Sequence, residues 1–301
     1  MKESSTLSRH EPVMTTEVLE LLHATHGGLF VDCTVGSGGH TRALLEAGAD
    51  RVVAFDRDAD ALRVAAEALR QWRERVDLVQ ADFRTLDAVL DARGIVNIDG
   101  AVADLGVSSM QLDAAGRGFS FRRDEPLDMR MDRSSGLTAA EMLNEVGESE
   151  LADVIYRFGQ DRHARRIARV LMTRRNRTCL ISTGQLADAV RSAVPYRRNQ
   201  RIDPATRTFQ AIRIWVNREL EALDTWLFSV SRRLKAGARF AVITFHSLED
   251  RIVKHTFRDL TRDGDITLKV ITKHPLRPSS EEVSRNRRAR SAKLRVAERL
   301  A

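Results

Sequence analysis

The sequence predicts an α/β fold in which a mostly parallel sheet is interrupted by an all-helical insertion. Between residues 28 and 108, short apolar runs alternate with amphipathic helical segments, as in a parallel sheet covered on both faces. Between about residues 115 and 210 the periodicity is helical only, and a strand pattern resumes at residues 239–245. The sheet therefore begins, is interrupted and then resumes.

Four apolar runs predict the first part of the sheet, with helices between them. The predicted strands are residues 28–35, 51–55, 76–80 and 98–103. The predicted helices are residues 40–47, 59–72 and 86–90. Because parallel strands end along one edge of a sheet, the side chains that follow them are expected to line one crevice.

The insertion and the second part of the sheet follow from helical periodicity and from glycine and proline. The predicted helices of the insertion are residues 138–143, 148–158, 164–175 and 183–194, between Gly116, Gly118 and Pro126 at its start and Pro195 and Pro204 at its end. A long helix is then predicted over residues 210–234, ended by Gly237. Strands at residues 239–245 and 266–272 flank a helix at residues 247–260, with Ser247 as its N-cap. Only the two ends of the chain look disordered.

Composition excludes several classes of protein. Of the 301 residues 43% are hydrophobic, mean hydropathy is -0.32, and no apolar run approaches the roughly 18 residues of a membrane helix. The N-terminus lacks the apolar core of a signal peptide. Cys33 and Cys179 form no C-x-x-C motif, which argues against a disulfide framework or a structural zinc site, and no other cluster suggests a metal. A cytoplasmic location is expected.

Positive charge favours a polyanionic partner. The net charge is +7 with a pI near 10.0. The arginines concentrate in three clusters, at residues 162–169 with 174–177, at residues 196–201, and at residues 285–295. Any one cluster is equally well a solvated helix face. Three such clusters in one chain, together with the cofactor motif described next, favour a nucleic acid as the partner.

The most informative motif is the run F-V-D-C-T-V-G-S-G-G-H at residues 30–40, an apolar strand that leads through a glycine turn into a helix. Gly36 and Gly38 fit the first two positions of G-x-G-x-x-G, but Thr41 occupies the third. Asp32 would not assist a pyrophosphate, whereas S-adenosylmethionine carries an ammonium and a sulfonium and no phosphate. The motif therefore favours S-adenosylmethionine over NAD, with a turn that binds no ligand as the alternative.

Polar residues follow the other predicted strands. Asp56 lies about twenty residues after the glycine turn, where an acid meets the ribose of an adenosine cofactor, although it or Asp58 could instead cap a helix. Phe83 follows the third strand and is expected either beside the adenine or in the core. Asp104 closes the fourth strand, where it could accept a hydrogen bond from an amino group, and Gly106 would allow close approach of the backbone.

Long blocks of sequence carry a resemblance to a known family. The blocks are D-L-G-V-S-S-M-Q-L-D at 104–113, R-G-F-S-F at 117–121, P-L-D-M-R-M-D at 126–132, H-E-P-V at 10–13, T-R-T-F-Q-A-I-R at 206–213, T-F-H-S-L-E-D-R at 244–251 and R-A-R-S-A-K-L-R at 288–295. In these blocks the chain resembles the MraW family, the bacterial small-subunit rRNA cytosine-N4 methyltransferases. The resemblance runs nearly from end to end.

The resemblance implies a class I S-adenosylmethionine-dependent methyltransferase fold, Rossmann-like, with its domain in two parts. We expect these parts at residues 1–112 and 211–301, around a substrate-recognition insertion at residues 113–210. It implies methylation of N4 of a cytidine in the decoding region of 16S rRNA, within the small ribosomal subunit. A homodimer is one assembly that the sequence leaves open. The implied cofactor-binding residues are Gly38, Gly39, His40, Asp56, Phe83, Asp104 and Gln111.

The expected chemistry requires an oriented amine. The N4 lone pair is delocalised into the ring, so hydrogen-bond acceptors must orient it and a group must accept its proton. Asp104 is the candidate that orients the amine. Many amino-methyltransferases have an acid or amide, two prolines and an aromatic residue here, whereas this chain has D-L-G-V at 104–107. The aromatic residue that stacks on the base must come from elsewhere, with Phe119, Phe121 and Phe245 as candidates.

Other chemistries are less well supported. C5 methylation needs a cysteine nucleophile that usually follows proline, and neither cysteine does; Cys33 is expected to pack in the first strand. His246 and Ser247 do not by themselves make a hydrolytic triad, so His246 is expected either to contact substrate or to have a structural role. The remaining alternatives are a DNA amino-methyltransferase and a non-catalytic RNA-binding assembly factor. Thr41 disfavours a dehydrogenase.

Overall fold

The computed structural model describes residues 12–195, 202–261 and 266–301 of the chain. The chain forms two compact units. The first unit combines Met1–Gly106 with Ala222–Ala301, and the second unit is Val107–Glu221. The sequence placed the insertion at residues 113–210, so the second unit extends beyond that range at both ends.

One sheet of seven strands forms the centre of the first unit, in the order β3-β2-β1-β4-β5-β7-β6. The strands are β1 (Leu29–Asp32), β2 (Arg51–Asp56), β3 (Val76–Gln80), β4 (Ile98–Asp104), β5 (Leu234–Thr244), β6 (Leu268–Val270) and β7 (Lys293–Arg299). Strands β1 to β5 pair in parallel, and β7 pairs antiparallel with both β5 and β6. The predicted α/β class with a mostly parallel sheet is therefore confirmed.

Helices cover this sheet and make up the second unit. In chain order they are α1 (Thr15–Leu22), α2 (Gly39–Ala47), α3 (Ala59–Ala68), α4 (Leu86–Ala92), α5 (Ser109–Asp113), α6 (Ala139–Glu145), α7 (Glu148–Gly159), α8 (Ala164–Arg175), α9 (Thr183–Ala193), α10 (Ala205–Asn217), α11 (Leu223–Arg233), α12 (Ser247–Asp259) and α13 (Ser280–Arg285). Helices α5 to α10 lie in the second unit. None of the helices in the described residues is long and apolar enough to cross a membrane.

The second unit has its own apolar core, built from amphipathic helices. Helices α7 and α8 each bury one face, including Leu151 and Ile155 on α7 and Ile167 and Leu171 on α8. Asn217 ends α10 and connects it to the preceding loop, because its side chain donates to the Met129 carbonyl and accepts from the Met131 N–H. The long loop before α6 is thus fixed to the helical core by a buried amide.

The predicted helix over residues 210–234 is wrong. The chain forms α10 and α11 instead, and the residues between them include Arg218 and Ala222 with left-handed φ angles of 49° and 54°. Gly237 does not end a helix, because it lies inside β5 with a φ of +79°. The helix break coincides with the boundary between the two units, which the periodicity of the sequence does not reveal.

The C-terminal end is not disordered. Residues 293–299 form β7, which lies between β5 and β6 and buries Leu294, Val296 and Ala297. Lys293 and Arg295, which the sequence analysis assigns to a basic cluster, alternate with Leu294 and Val296 along this strand, and Arg295 is itself 5% exposed. The predicted last strand at residues 266–272 is the shorter β6.

Candidate active site at the strand ends

The glycine turn between β1 and α2 is held by backbone hydrogen bonds. Val35 N–H donates to the Phe55 carbonyl over 2.8 Å, and Gly38 N–H donates to the Val35 carbonyl over 2.7 Å. Gly38 has a φ of +88°, and a Cβ on it would lie 3.1 Å from the Leu69 side chain. Both the left-handed backbone and the close neighbour therefore require glycine at this position.

Pro12 lies directly against the start of α2. A Cβ on Gly39 would come within 2.9 Å of Pro12 Cβ and Cγ, so the two residues pack as closely as a glycine allows. Pro12 leads into α1, and its carbonyl accepts a hydrogen bond from the Thr15 hydroxyl. The segment before α1 thus packs against the glycine turn, a contact that the H-E-P-V block did not indicate by itself. His10 and Glu11 of that block lie outside the described residues.

Asp56 connects the end of β2 to the glycine turn. Its Oδ2 accepts from Gly36 N–H and its Oδ1 accepts from Asp58 N–H, each over 2.9 Å. Burial raises the pKa of the Asp56 carboxyl to about 6, although these hydrogen bonds favour its ionised form. Asp58 is the N-cap of α3, since its carboxylate accepts from Asp60 N–H. Asp56 is therefore not the helix cap, and its role toward a ribose stays a prediction.

Both carboxylate oxygens of Asp32 accept hydrogen bonds from residues of the turn and of α2. The side chain is 1% exposed, its Oδ1 accepts from Thr34 N–H over 3.0 Å, and its Oδ2 accepts from the Thr41 hydroxyl over 2.7 Å. Burial raises the pKa of this carboxyl. Asp32 thus shapes the turn through both of its carboxylate oxygens.

His40 and Asp104 form the polar centre of the crevice. His40 Nε2 lies 3.8 Å from Asp104 Oδ2, an ion-pair distance that is too long for a hydrogen bond. Burial lowers the pKa of His40, but Asp104 and Asp32 outweigh this effect and raise it above its usual value. Asp104 is itself held in place, because its N–H donates to Thr34 Oγ1 over 2.6 Å.

This centre contains polar atoms without hydrogen-bond partners. Within the described residues, His40 Nδ1, His40 Nε2 and Asp104 Oδ1 are buried and make no hydrogen bond. An unmade bond at such an atom costs about 1–3 kcal/mol, so several together indicate that a ligand normally supplies the partners. An ammonium group would satisfy Asp104 Oδ1, which fits the amino acid end of S-adenosylmethionine.

The other predicted site residues have different surroundings. Phe83 follows β3, and its ring lies 4.4 Å from that of Trp226 on α11. Gln111 belongs to the second unit, where it forms a capping box with Ser108 at the start of α5 and is 5% exposed. The structure thus brings Gly38, Gly39, His40, Asp56 and Asp104 together in the first unit. The roles of Phe83 and Gln111 toward the cofactor stay predictions.

His246, not Ser247, is the N-cap of α12, so the predicted cap is wrong. His246 Nδ1 accepts from Glu249 N–H, and its Nε2 lies 3.0 Å from Glu249 Oε1. Glu249 is 2% exposed, and although its carboxylate lies close to the ring, His246 Nε2 is buried and makes no hydrogen bond within the described residues. Imidazole caps are rare beside hydroxyl caps, so the sequence pointed to the serine. Contact of His246 with substrate stays a prediction.

The three candidate stacking residues differ in exposure. Phe119 is 8% exposed in the core of the second unit, and Phe121 packs edge-to-face on Phe209 with ring centres 4.7 Å apart. Phe245 is half-buried in the first unit, 3.4 Å from where a Cβ on Gly106 would lie. Cys33 is buried directly after β1, as expected, and Cys179 is exposed.

Sequence reasoning missed Thr34 and Thr41, whose hydroxyls connect Asp104 and Asp32 to the turn. Small hydroxyl residues beside a buried acid are the only signal that could have identified them. The sheet, the glycine turn and the acids at the strand ends together define a methyltransferase of the S-adenosylmethionine-dependent class.

Comparison with known proteins identifies the family. The model of the MraW methylase family matches residues 7–300, and the chain belongs to this family. Proteins named ribosomal RNA small subunit methyltransferase H are similar over nearly their whole length. One from a Cyanothece species is 51% identical, with 97% of this chain and 95% of that protein covered. Those from Kosmotoga olearia and Geotalea uraniireducens are each 47% identical, covering 97% of this chain and 97% and 98% of theirs.

Proposed function

We propose that the protein transfers the methyl group of S-adenosylmethionine to the exocyclic N4 of a cytidine in the decoding region of 16S rRNA. The observation that carries the proposal is the pair of buried His40 and Asp104, whose Oδ1 atom is buried without a hydrogen-bond partner, at the end of β4 in a member of the MraW methylase family. The names of the similar proteins support the rRNA of the small ribosomal subunit as the substrate.

The residues of the crevice fit the parts of the cofactor. S-adenosylmethionine supplies an electrophilic methyl group on a sulfonium. The turn at Gly38 and Gly39 allows close approach of the ligand to the backbone, and the Asp56 carboxylate has lone pairs left to accept from ribose hydroxyls. Asp104 Oδ1 accepts from an ammonium or amino group. Phe83 and Gln111 complete the proposed set.

Asp104 also serves as the group that orients the cytosine amine. The N4 lone pair points at the methyl carbon only when the amino hydrogens are held by acceptors, because conjugation otherwise keeps the pair in the ring. His40 Nε2 lies 3.8 Å from Asp104 Oδ2, and the Asp104 N–H donates to Thr34 Oγ1, so the acceptor is already positioned when the amine develops positive charge. A base inside a stacked helix is out of reach, so the target cytidine must be unpaired or flipped.

The setting of the reaction follows from its substrate. We propose that the acceptor is 16S rRNA within the small ribosomal subunit, and that the enzyme acts in the cytoplasm, where ribosomal subunits mature. Positive charge supports this assignment, because a net charge of +7 attracts a polyanion at long range.

The test is transfer from methyl-labelled S-adenosylmethionine to unmethylated small ribosomal subunits, followed by digestion of the RNA to nucleosides. We expect the label in N4-methylcytidine. We expect Asp104→Ala to lower the rate by about 100-fold or more, as for other groups that stabilise charge in the transition state, without loss of RNA binding. Label in another nucleoside, or in DNA, would overturn the acceptor. Cofactor and RNA binding without transfer would instead favour an assembly factor.

A further inference from the structure

Helix α8 and the turn before it carry four exposed arginines. Arg162, Arg165, Arg166 and Arg169 follow the spacing i, i+3, i+4 and i+7, which places their side chains along one side of a helix. All four are exposed, and they extend over about 10 Å of the helix axis. These four residues are called the α8 arginine face. Arg162 lies in the turn two residues before Ala164, so Arg165, Arg166 and Arg169 belong to the helix and Arg162 precedes it.

The orientation of this face is fixed by the opposite side of the helix. Ile167, Ala168 and Leu171 are fully buried in the core of the second unit, and Met172 is 8% exposed. Because α8 cannot rotate without exposing this apolar side, the arginine face points permanently away from the core.

Two later arginines of the same helix have a different role. Arg174 donates to the Asp188 carbonyl and to Ser192 Oγ, and Arg175 donates to the Leu143 and Val146 carbonyls. These guanidinium groups satisfy backbone oxygens within the second unit. The basic cluster of residues 162–177 therefore divides into structural arginines and the α8 arginine face.

The α8 arginine face is scarcely neutralised. Within the described residues, Arg165 and Arg166 make no side-chain hydrogen bond or ion pair, and Arg162 donates only to His163. Arg169 lies 3.7 Å from Glu148, and both of these side chains are largely exposed. Asp161 is buried, accepts from His163 N–H and forms no ion pair with these arginines within the described residues. Four cations thus share one helix face with a single weak acidic partner.

Such a face has a cost in the isolated protein. Like charges at i, i+3 and i, i+4 destabilise a helix by roughly 0.2–0.5 kcal/mol per pair. A bound polyanion offsets this repulsion, because each arginine is then close to a negative charge. The segment of residues 162–177 contains seven arginines and no lysine. A planar guanidinium binds two phosphate oxygens at once, whereas an ammonium acts as a point charge, so arginine is the residue suited to phosphate groups.

We propose that the α8 arginine face binds the phosphate backbone of the RNA substrate. This inference rests on the proposed function. It names one helix of the second unit as a contact of the RNA. Part of the C-terminal cluster is unsuitable for the same role, because Lys293 and Arg295 are bound to Asp250. The cluster at residues 196–201 lies outside the described residues.

The experiment compares Arg165→Glu/Arg166→Glu with Arg70→Glu/Arg73→Glu in the full chain. The control pair is also exposed, lies in the first unit, and changes the net charge equally. The probes are unmethylated small ribosomal subunits and free 16S rRNA, titrated at several salt concentrations. We expect the α8 variant to weaken binding to both by about tenfold or more and to lower the salt slope of log K by about 1.4–1.8, for two phosphates. The Kd of S-adenosylmethionine should not change.

Each other outcome has a clear meaning. Equal losses in the two double variants would overturn the α8 arginine face as the contact and leave the proposed function intact. A loss for ribosomal subunits with unchanged binding of free rRNA would identify a protein contact and would also overturn the inference. Arg165→Lys/Arg166→Lys should retain the salt slope, because each lysine still displaces counterions. If the unaltered chain neither binds nor methylates rRNA, the proposed function itself fails.

Discussion

The carboxylate of Glu282 accepts a hydrogen bond from the backbone N–H of Met14, over 2.7 Å and across 268 residues of sequence. Met14 is the left-handed N-cap of α1, and Glu282 lies in α13, where it is 9% exposed. Because Pro12 lies two residues before Met14 and packs on Gly39, this bond fixes the segment that borders the cofactor turn. A residue near the end of the described chain thus helps to shape the start of α2.

Glu282→Ala should weaken both folding and cofactor binding. The variant leaves a buried N–H without a partner, which lowers the free energy of unfolding by about 1–3 kcal/mol. As the segment at Pro12 loosens, we expect the Kd of S-adenosylmethionine to rise about tenfold, equivalent to 1.4 kcal/mol. Urea unfolding and calorimetric titration measure the two effects. Glu282→Gln keeps an acceptor oxygen, so it should retain most of the free energy of unfolding and most of the affinity for S-adenosylmethionine. An unchanged Kd in the alanine variant would separate this segment from the cofactor turn.

Gly39→Ala tests the close contact with Pro12 directly. The added Cβ would lie 2.9 Å from Pro12 Cβ and Cγ, so one of the two segments must move. Such overpacking typically costs about 1–3 kcal/mol, and we expect it to appear as weaker cofactor binding. Pro12→Gly removes the opposing atoms, so the double variant should bind S-adenosylmethionine better than Gly39→Ala alone. Additive losses in this double-mutant cycle would show that the contact does not limit the position of the turn.

Cofactor binding should depend on the ionisation of Asp56. Its carboxyl has a pKa of about 6 because it is buried, and only the ionised form offers a full set of acceptors to ribose hydroxyls. We therefore expect the Kd of S-adenosylmethionine to rise as pH falls below 6, by up to about tenfold per pH unit. Calorimetric titration between pH 5 and 7 measures this dependence. Asp56→Asn should bind more weakly at pH 7 and lack this pH dependence; a retained dependence would assign it to another group.

The free energy of unfolding of the cofactor-free protein should rise as pH falls, whereas its affinity for the cofactor should fall. A carboxyl whose folded pKa is raised stabilises the fold below its unfolded pKa, and this contribution is lost as pH rises through the folded value. For Asp56 the window is pH 4 to 6, with a loss of up to about 3 kcal/mol for a shift of two units. Urea unfolding of the cofactor-free protein and of Asp56→Asn, compared across this window, isolates the contribution. Equal pH profiles for the two proteins would contradict it.

Asp250 should contribute to stability at neutral pH. Burial disfavours its charge, but Arg295 and Lys293 outweigh this and lower the pKa of Asp250. A lowered carboxyl pKa stabilises the fold above the unfolded pKa, and the stabilisation is lost as pH falls through the folded value. We expect Asp250→Asn to lower the free energy of unfolding by about 1–3 kcal/mol at pH 7, with a smaller difference below pH 4.

The matched control for Asp250 lies on the same helix. Asp259 is 63% exposed in an ion pair with Arg258, so Asp259→Asn should change stability by less than about 0.5 kcal/mol. Urea unfolding of both variants at pH 7 and pH 3.5 provides the comparison. Similar effects of the two substitutions would mean that the pairs with Arg295 and Lys293 contribute no more than a surface ion pair.

The alternation of strands and helices predicted the first half of the sheet because local periodicity determines it. β1 to β4 and the turn at Gly38 are local features, with glycine and aspartate marking where each strand ends. The break between α10 and α11 was missed because Arg218 and Ala222 adopt left-handed conformations that neither residue type favours. Tertiary packing, not local preference, sets the backbone there.

The missed parts of the candidate site depend on partners far away in the sequence. Lys293 and Arg295 looked like free charges, because Asp250 is more than forty residues away along the chain. Asp32 was expected to influence a ligand, and the sequence did not show that its oxygens also bind Thr34 and Thr41 of the turn. Motifs therefore located the residues at the strand ends, while the assignment of each oxygen to a partner required the fold.

The position of β7 has a consequence for how the protein matures during synthesis. β7 is the last strand in chain order, yet it lies between β5 and β6. Until residues 293–299 have left the ribosomal exit tunnel, β5 has an open edge and β6 has no neighbour, so the nascent chain carries an incomplete sheet. The sheet that carries the candidate site is thus complete only after residues 293–299 have been translated and have paired with both neighbours.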